Sequence, residues 1–516
     1  MPERDLRIGV DVGGTNTDAV VLDATDRVIA RAKRPTSADV TGGMRAALAA
    51  VLEGLAADVG RVGRVMLGTT HATNAILERR GLGRVAALRL GGPATASVPP
   101  LESWPEDLRK TVVVDAAIVP GGRYVDGTAI APLNRDALSR FLQGVAGRVD
   151  AVAVTGVFSP AFTDQELAAA EIVQQELGEG VAVSMSHEIG SLGLLERENA
   201  TILNAALYEV AGHVRNALAE ALAGHGLDVA TYFAQNDGTL MAVDYAARYP
   251  VLTIGSGPAN SIRGAAFLSG LQDAIVADVG GTSTDLGVLV KGFPRESAAG
   301  VEIGGVRTNF RMPDILAVAL GGGTVIGEGA TLGPHSVGYR ITQEAYVFGG
   351  ATPTMTDAAV SAGRGRVGRD PAPEHLRELF TAAVREADTL VADAVDRMTL
   401  GKADLPLVVV GGGSFLVPDD LPGVSAVIRP DDGDVANAVG AAIALVSGSW
   451  DTIVPVGDGR RAAIDEACEL ATRRAVQAGA DPSAVDIVEI VEVPLSYLPE
   501  PATRVHIKAA GPLGKL

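Results

Sequence analysis

Two distant stretches of this chain carry almost the same eight residues. Asp11-Val12-Gly13-Gly14-Thr15-Asn16-Thr17-Asp18 and Asp278-Val279-Gly280-Gly281-Thr282-Ser283-Thr284-Asp285 differ only at Asn16 against Ser283. Each follows one apolar run and precedes another, so each reads as strand, glycine turn, strand. A match of this length implies two similar structural units, each offering one hairpin to a shared cleft. At 516 residues the chain is long enough to need more than one hydrophobic core.

The intervening pattern fits such units. Strands are expected over 7–11, 19–23, 27–33, 62–67, 151–157 and 181–184, with helices over 41–57, 71–80, 135–146 and 164–177. This alternation predicts α/β layering with largely parallel strands. A long helix is expected over 194–223, and residues 104–133 read as short strands and loops. After the second hairpin, at 274–278 and 285–290, helices are expected over 374–398, 434–447 and 461–478 and a strand over 485–493. The expected division is 1–185, 186–447 and a short closing helix-strand segment, 448–516. The fold class is α/β, a duplicated two-domain fold of the actin/hexokinase/Hsp70 type with a nucleotide cleft between the domains.

The repeat also carries chemistry. A polyphosphate needs many donors at close range, and Gly-Gly lets successive backbone N–H groups approach it. Gly13, Gly14, Thr15 and Asn16 on one side and Gly280, Gly281, Thr282 and Ser283 on the other are therefore expected to clamp ATP. Asp11 and Asp278 end their strands where a carboxylate would repel phosphate. A Mg²⁺ ion held by both, directly or through water, resolves the conflict. Gly411-Gly412-Gly413, after an apolar strand, is expected against the adenosine, and Gly255-Ser256-Gly257-Pro258 and Gly321-Gly322-Gly323-Thr324 are further candidate loops. No Walker A sequence or Rossmann fingerprint competes with this reading.

Composition narrows the setting. There are 63 glycines, about 12% against a usual share of about 7%, gathered in a few short loops. A net charge of −19 argues against nucleic-acid or anionic-membrane partners. The single Cys468 excludes an internal disulfide, and neither a secretory apolar region nor a membrane span is evident, so a cytoplasmic protein is expected.

Further wording accompanies the repeat: Gly68-Thr69-Thr70-His71-Ala72-Thr73-Asn74-Ala75, Ser186-His187-Glu188, Glu196-Arg197-Glu198-Asn199-Ala200-Thr201, Thr354-Met355-Thr356-Asp357 and Gly411-Gly412-Gly413-Ser414. In that order these resemble the hydantoinase A/oxoprolinase family, which includes ATP-dependent lactamases and relatives among the ketone carboxylases. The likeness runs from about residue 7 to 447, with 448–516 standing as a short form of a larger C-terminal domain. The resemblance implies that ATP phosphorylates the oxygen of a cyclic amide or an enolate, which water then opens or a carboxyl donor traps. A second, larger subunit and an oligomeric assembly are implied as well.

His71, Asn74, His187 and Asp314 are the candidate catalytic residues. His71 and Asn74 sit at an expected helix start, where they could reach phosphate or a substrate carbonyl. His187 follows a strand end, and Asp314 precedes the Gly321 loop as a candidate base or ligand of a second divalent metal. Each has a plainer reading: packing in a first helical turn for His71, helix capping for Asp357, and a solvated face for Glu196 and Arg197. The leading expectation is ATP-dependent opening of a cyclic amide. Ketone carboxylation, a small-molecule kinase, and an ATP-driven binding or filament module are the alternatives.

Overall fold

The computed structural model describes the chain except residues 1–3, 14–15, 37–39, 191, 298–299, 310–311, 370–372, 400–404, 496–500 and 515–516. β1 (Leu6–Val12) and β2 (Asn16–Leu22) form an antiparallel hairpin, with β3 (Val28–Pro35) beyond β2 and β4 (Val62–Thr69) parallel to β1. β5 (Val85–Gly92), β6 (Val113–Pro120), β7 (Ala151–Gly156) and β8 (Ala182–Met185) make a separate parallel sheet in the order β6-β5-β7-β8. β9 (Ala230–Ala234) lies parallel to β4, and β10 (Leu240–Ala242) turns back along it.

β11 (Ala274–Val279) and β12 (Thr284–Val290) form the second hairpin, and the strand Leu407–Val410 runs parallel to β11 as β4 does to β1. The repeat holds down to register: Asp11 lies opposite Asp18, and Asp278 opposite Asp285. β1 and β11 are buried along nearly their whole length, as strands covered on both faces must be. The architecture is the expected duplicated α/β fold.

Two helices join the halves. Ser256–Ser269 crosses Ala436–Ile443, and the crossing is built from small residues. A Cβ at Gly264 would strike the Ala436 carbonyl, one at Gly440 the Asn260 carbonyl, and one at Gly9 of β1 the Ala438 carbonyl. Only glycine allows backbones so near one another.

Several expectations need correction. The helix expected over 194–223 is two, Leu194–Ala206 and Tyr208–Gly224, meeting at Leu207; apolar spacing continues through the break and conceals it. The helix expected over 434–447 ends at Ile443, and a ten-residue strand, Val446–Pro455, begins at Val446. Gly255-Ser256-Gly257-Pro258, read as a loop, is the start of the Ser256–Ser269 helix. Residues 104–133 include the helix Glu106–Val112. The closing segment adds Val446–Pro455, Ala502–Gly511 and Asp486–Leu495 beyond β10 to the sheet that holds β1. That one sheet thus draws strands from all three expected segments. Among the described residues no helix is long and apolar enough to cross a membrane.

Candidate active site

Asp11 and Asp278 lie at the ends of the two matching central strands, and one side chain reaches both. Asn437 Nδ2 donates to Asp11 Oδ2 at 3.4 Å, and the same side chain lies near enough to Asp278 to ease its burial. Asn260 Nδ2 donates to Asp11 Oδ1 at 3.3 Å. The joining helices therefore set the distance between the hairpins. Gly68, beside Asp11 on β4, has no room for a Cβ, which would strike Asp11 Oδ1 and Asn260 Nδ2.

The two turns close alike. Gly13 N donates to Asn16 O at 3.0 Å and Gly280 N to Ser283 O at 2.9 Å. These two amides are engaged within their turns rather than aimed at a ligand, which corrects the expectation for Gly13 and Gly280. The amides of Gly281 and Thr282 remain as candidate donors in the second turn. Gly14 and Thr15 lie outside the described residues.

The neighbouring glycine loops buttress the second turn. Gly322 N donates to Gly280 O at 3.0 Å and Gly323 N to Gly281 O at 2.7 Å, while Gly413 N donates to Val279 O at 2.8 Å. A Cβ at Gly411 would strike Asp278 Oδ1, and one at Gly413 would come within 3.0 Å of Gly280 O. Protein contacts explain the absence of a side chain at both positions. Of that loop only Gly412 has open space for a ligand, since a Cβ added there would meet nothing within 4 Å.

Four carboxylates face one another here, two from each hairpin. Burial pushes Asp11 up to about 6, eased by Asn260 and Asn437 and raised again by Asp278. Burial likewise takes Asp18 to about 6, against the opposing Lys33 charge. Asp285 rises to about 7 through burial and the Asp278 charge, and Asp278 is raised by burial. Lys33, cross-strand from Asp18, donates to it at 3.1 Å. One lysine among four acids leaves a surplus of negative charge that a divalent cation would neutralise. Asn260 Oδ1, beside Asp11, is buried without a partner. An all-oxygen set of two carboxylates and an amide carbonyl suits Mg²⁺, which keeps several waters. Among the described residues no cluster of three or more His, Cys, Asp or Glu could hold a metal by itself.

These shifts fix a pH dependence. Between about pH 4 and 7 the folded chain holds protons on Asp11, Asp18 and Asp285 that the unfolded chain has lost, so stability falls as pH rises through that window. Each tenfold change in proton affinity is worth about 1.4 kcal/mol. Carboxylates held below their usual range, such as Asp164 and Asp451, titrate at lower pH. In EDTA the melting temperature should drop from about pH 5 to about pH 7.5, and the Asp11→Asn/Asp18→Asn double variant should flatten that slope. An unchanged slope would remove the electrostatic picture.

The four candidate catalytic residues do not converge. His71 Nδ1 lies 2.6 Å from Thr69 Oγ1 at the end of β4, and Asn74 Nδ2 donates to Thr70 Oγ1 at 3.4 Å. Thr70 in turn donates to Val12 O at 3.1 Å, which ties this turn to the first hairpin. His187 stands elsewhere, in a cavity it shares with Asn236, Trp450, Arg474, His506 and Lys508. Its Nδ1 lies 2.6 Å from Glu166 Oε2. Burial pushes Glu166 up, but His187, Ser186 and Arg197 outweigh it and hold the carboxyl below its usual value. Asp314 is engaged by Arg295, whose Nη2 donates at 2.7 Å and whose Nη1 binds Met398 O. This pairing gives Asp314 a protein partner.

Asp357 caps its helix in a reciprocal box with Thr354, the plainer reading. Arg197 departs from the solvated face expected of it. It is wholly buried, donating to Ser186 Oγ at 2.9 Å and Gly156 O at 2.6 Å. Sequence reasoning misses Asn260, Asn437, Lys33 and the entire His506–Lys508 contribution. For Lys33 alone a signal exists, in its cross-strand position opposite Asp18.

Known proteins resemble this chain. A family model described as the hydantoinase/oxoprolinase N-terminal region matches residues 7–177, and one described as hydantoinase/oxoprolinase matches 197–396. The chain is 27% identical over 393 residues to caprolactamase subunit alpha of Pseudomonas jessenii, covering 70% of this chain and 55% of that one. It is 27% identical over 391 residues to the acetophenone carboxylase gamma subunit of Aromatoleum aromaticum, covering 69% and 53%. It thus spans about half the length of these two relatives. The crystal structure of ATP-dependent caprolactamase from Pseudomonas jessenii shares the fold, with a TM-score of 0.79, 19% identity, and coverage of 99% of this chain and 89% of that one. With both family models falling in order on the halves that carry the paired hairpins, the chain belongs to the hydantoinase/oxoprolinase family.

Proposed function

We propose that this chain is the nucleotide-handling subunit of an ATP-dependent enzyme that activates the carbonyl of a cyclic amide for ring opening. The observation that carries the reading is the mirrored pair Asp11 and Asp278, with Asn437 donating to the first and lying beside the second, each followed by a matching glycine turn. Asp11 and Asp278 would hold Mg²⁺, with Asn260 Oδ1 as a further oxygen, and the Gly281 and Thr282 amides would face phosphate. Bound Mg–ATP supplies the phosphoryl group that turns an inert amide oxygen into a leaving group. Asn74, anchored to Val12 through Thr70, and His71, held by Thr69, would orient a group beside the first hairpin.

The two relatives are named as subunits, and a second, larger subunit of a cytoplasmic complex is part of this proposal. Carboxylation of a ketone is the second reading, favoured by the likeness to the acetophenone carboxylase subunit. ATP turnover with Mg²⁺ separates the two. Stimulation by hydantoin, 5-oxoproline or caprolactam without bicarbonate is the expected result. Turnover seen only with a ketone and bicarbonate together would replace ring opening by carboxylation, and release of a stable phosphorylated product would indicate a kinase.

A further inference from the structure

The Ser256–Ser269 helix meets Asp11 through Asn260, one turn in from its start. Ser256 stands four residues before Asn260, so it lies on the same face, about 6 Å nearer the N-terminus. Ser256 is 0% exposed, and among the described residues its Oγ has no hydrogen-bond partner. A buried hydroxyl left in that state is costly. No side chain caps the helix, and the first amides of any helix lack a partner inside it. Pro258, the third residue, brings no N–H, which leaves the Ser256 and Gly257 amides as the foremost donors.

Gly257 points the same way. Glycine in a helix gives up stability that alanine would keep. At Gly264 and Gly440 the crossing backbone explains the glycine, but a Cβ added at Gly257 would meet nothing within 4 Å. Gly257 is nevertheless buried, so its backbone borders an enclosed open space, as it would where a ligand approaches closely. The turn ahead of the helix, Pro250–Thr253, lines a small pocket with Thr69 and His71, so the helix begins beside the His71 turn.

Two amides, a hydroxyl and the positive end of a helix suit a compact oxyanion with three oxygens to offer. We propose that the start of this helix is a phosphate site distinct from the two glycine turns, and that it takes over the phosphoryl group as that group leaves ATP. In the transfer the bond from phosphorus to the bridging oxygen breaks, and its electron pair stays with ADP. The substrate's oxygen supplies the pair for the new bond to phosphorus. Asp11, one turn further along, would repel the group unless the cation between Asp11 and Asp278 is in place. The site rests on the proposed function for that cation and for the origin of its phosphate.

Calorimetry with inorganic phosphate tests it, in the protein saturated with Mg–ADP and with acetate as the control. Phosphate should bind in preference to acetate. Ser256→Ala and Gly257→Ala should each weaken phosphate about tenfold while leaving Mg–ADP affinity within about twofold. Neither change should lower the melting temperature, since one removes a buried hydroxyl without a partner and the other adds a methyl group to open space. A merely structural role would give the reverse, a lower melting temperature with phosphate affinity intact. No phosphate binding by a protein that holds Mg–ADP, equal binding of acetate, or phosphate affinity unchanged in either variant would overturn the site and leave the clamp standing. If the chain takes no Mg–ADP, the same titration in Mg²⁺ alone separates the two ideas. Variant-sensitive phosphate binding would then support the site and defeat the proposed function, and no binding would defeat both.

Discussion

Asp11→Asn should abolish amide-stimulated ATP turnover, by on the order of 10²–10³-fold, without lowering the melting temperature. The two halves of this expectation have one cause. Asp11 is 4% exposed and sits where burial and the Asp278 charge disfavour its ionised form. Without a cation that carboxylate is a liability, and the neutral amide relieves it. With a cation it is a ligand, and an amide oxygen with no formal charge is a much poorer one. Asp278→Asn should behave in the same way, since it occupies the matching place on the second hairpin. A variant that loses stability and keeps turnover would show that Asp11 serves the fold.

Gly440→Val should cost about 3 kcal/mol or more and take nucleotide binding with it. A side chain at Gly440 runs into the Asn260 carbonyl on the crossing helix, and backbone cannot rotate aside as a side chain can. The helices would part, withdrawing Asn260 and Asn437 from Asp11 together. Gly264→Val, against the Ala436 carbonyl, should do equal harm. Gly212→Ala is the contrast: a Cβ on this helical glycine meets nothing within 4 Å, so the change should stabilise by up to about 1 kcal/mol. Thermal melts of the three variants check the ranking, and a Gly440→Val protein as stable as its parent would show that the crossing tolerates separation.

The features legible in the sequence are those written twice or written locally. The repeat discloses both hairpins, while the pairing of Asp11 with Asp18 and Asp278 with Asp285 emerges only from the strand register. Asn260 and Asn437 stay hidden because each is a lone amide on a helix of small residues. Nothing in either neighbourhood records that the helices cross over Asp11. Arg197 misleads because a charged residue at helical spacing looks solvated; its burial rests on Ser186 and Gly156, distant in the chain. The His506 cavity needs strands from the last segment beside β9, a long-range pairing without a local signature. Val505-His506-Ile507-Lys508 alternates as a strand does, but alternation cannot say what its polar face meets.

Everything proposed for the clamp depends on both hairpins grasping one nucleotide. Calorimetry with a non-hydrolysable Mg–ATP analogue measures this directly in the parent protein, Asp11→Asn and Asp278→Asn. One site per chain is expected, weakened at least about tenfold by each substitution alone. No heat of binding in the parent, or binding indifferent to either aspartate, would contradict a shared clamp.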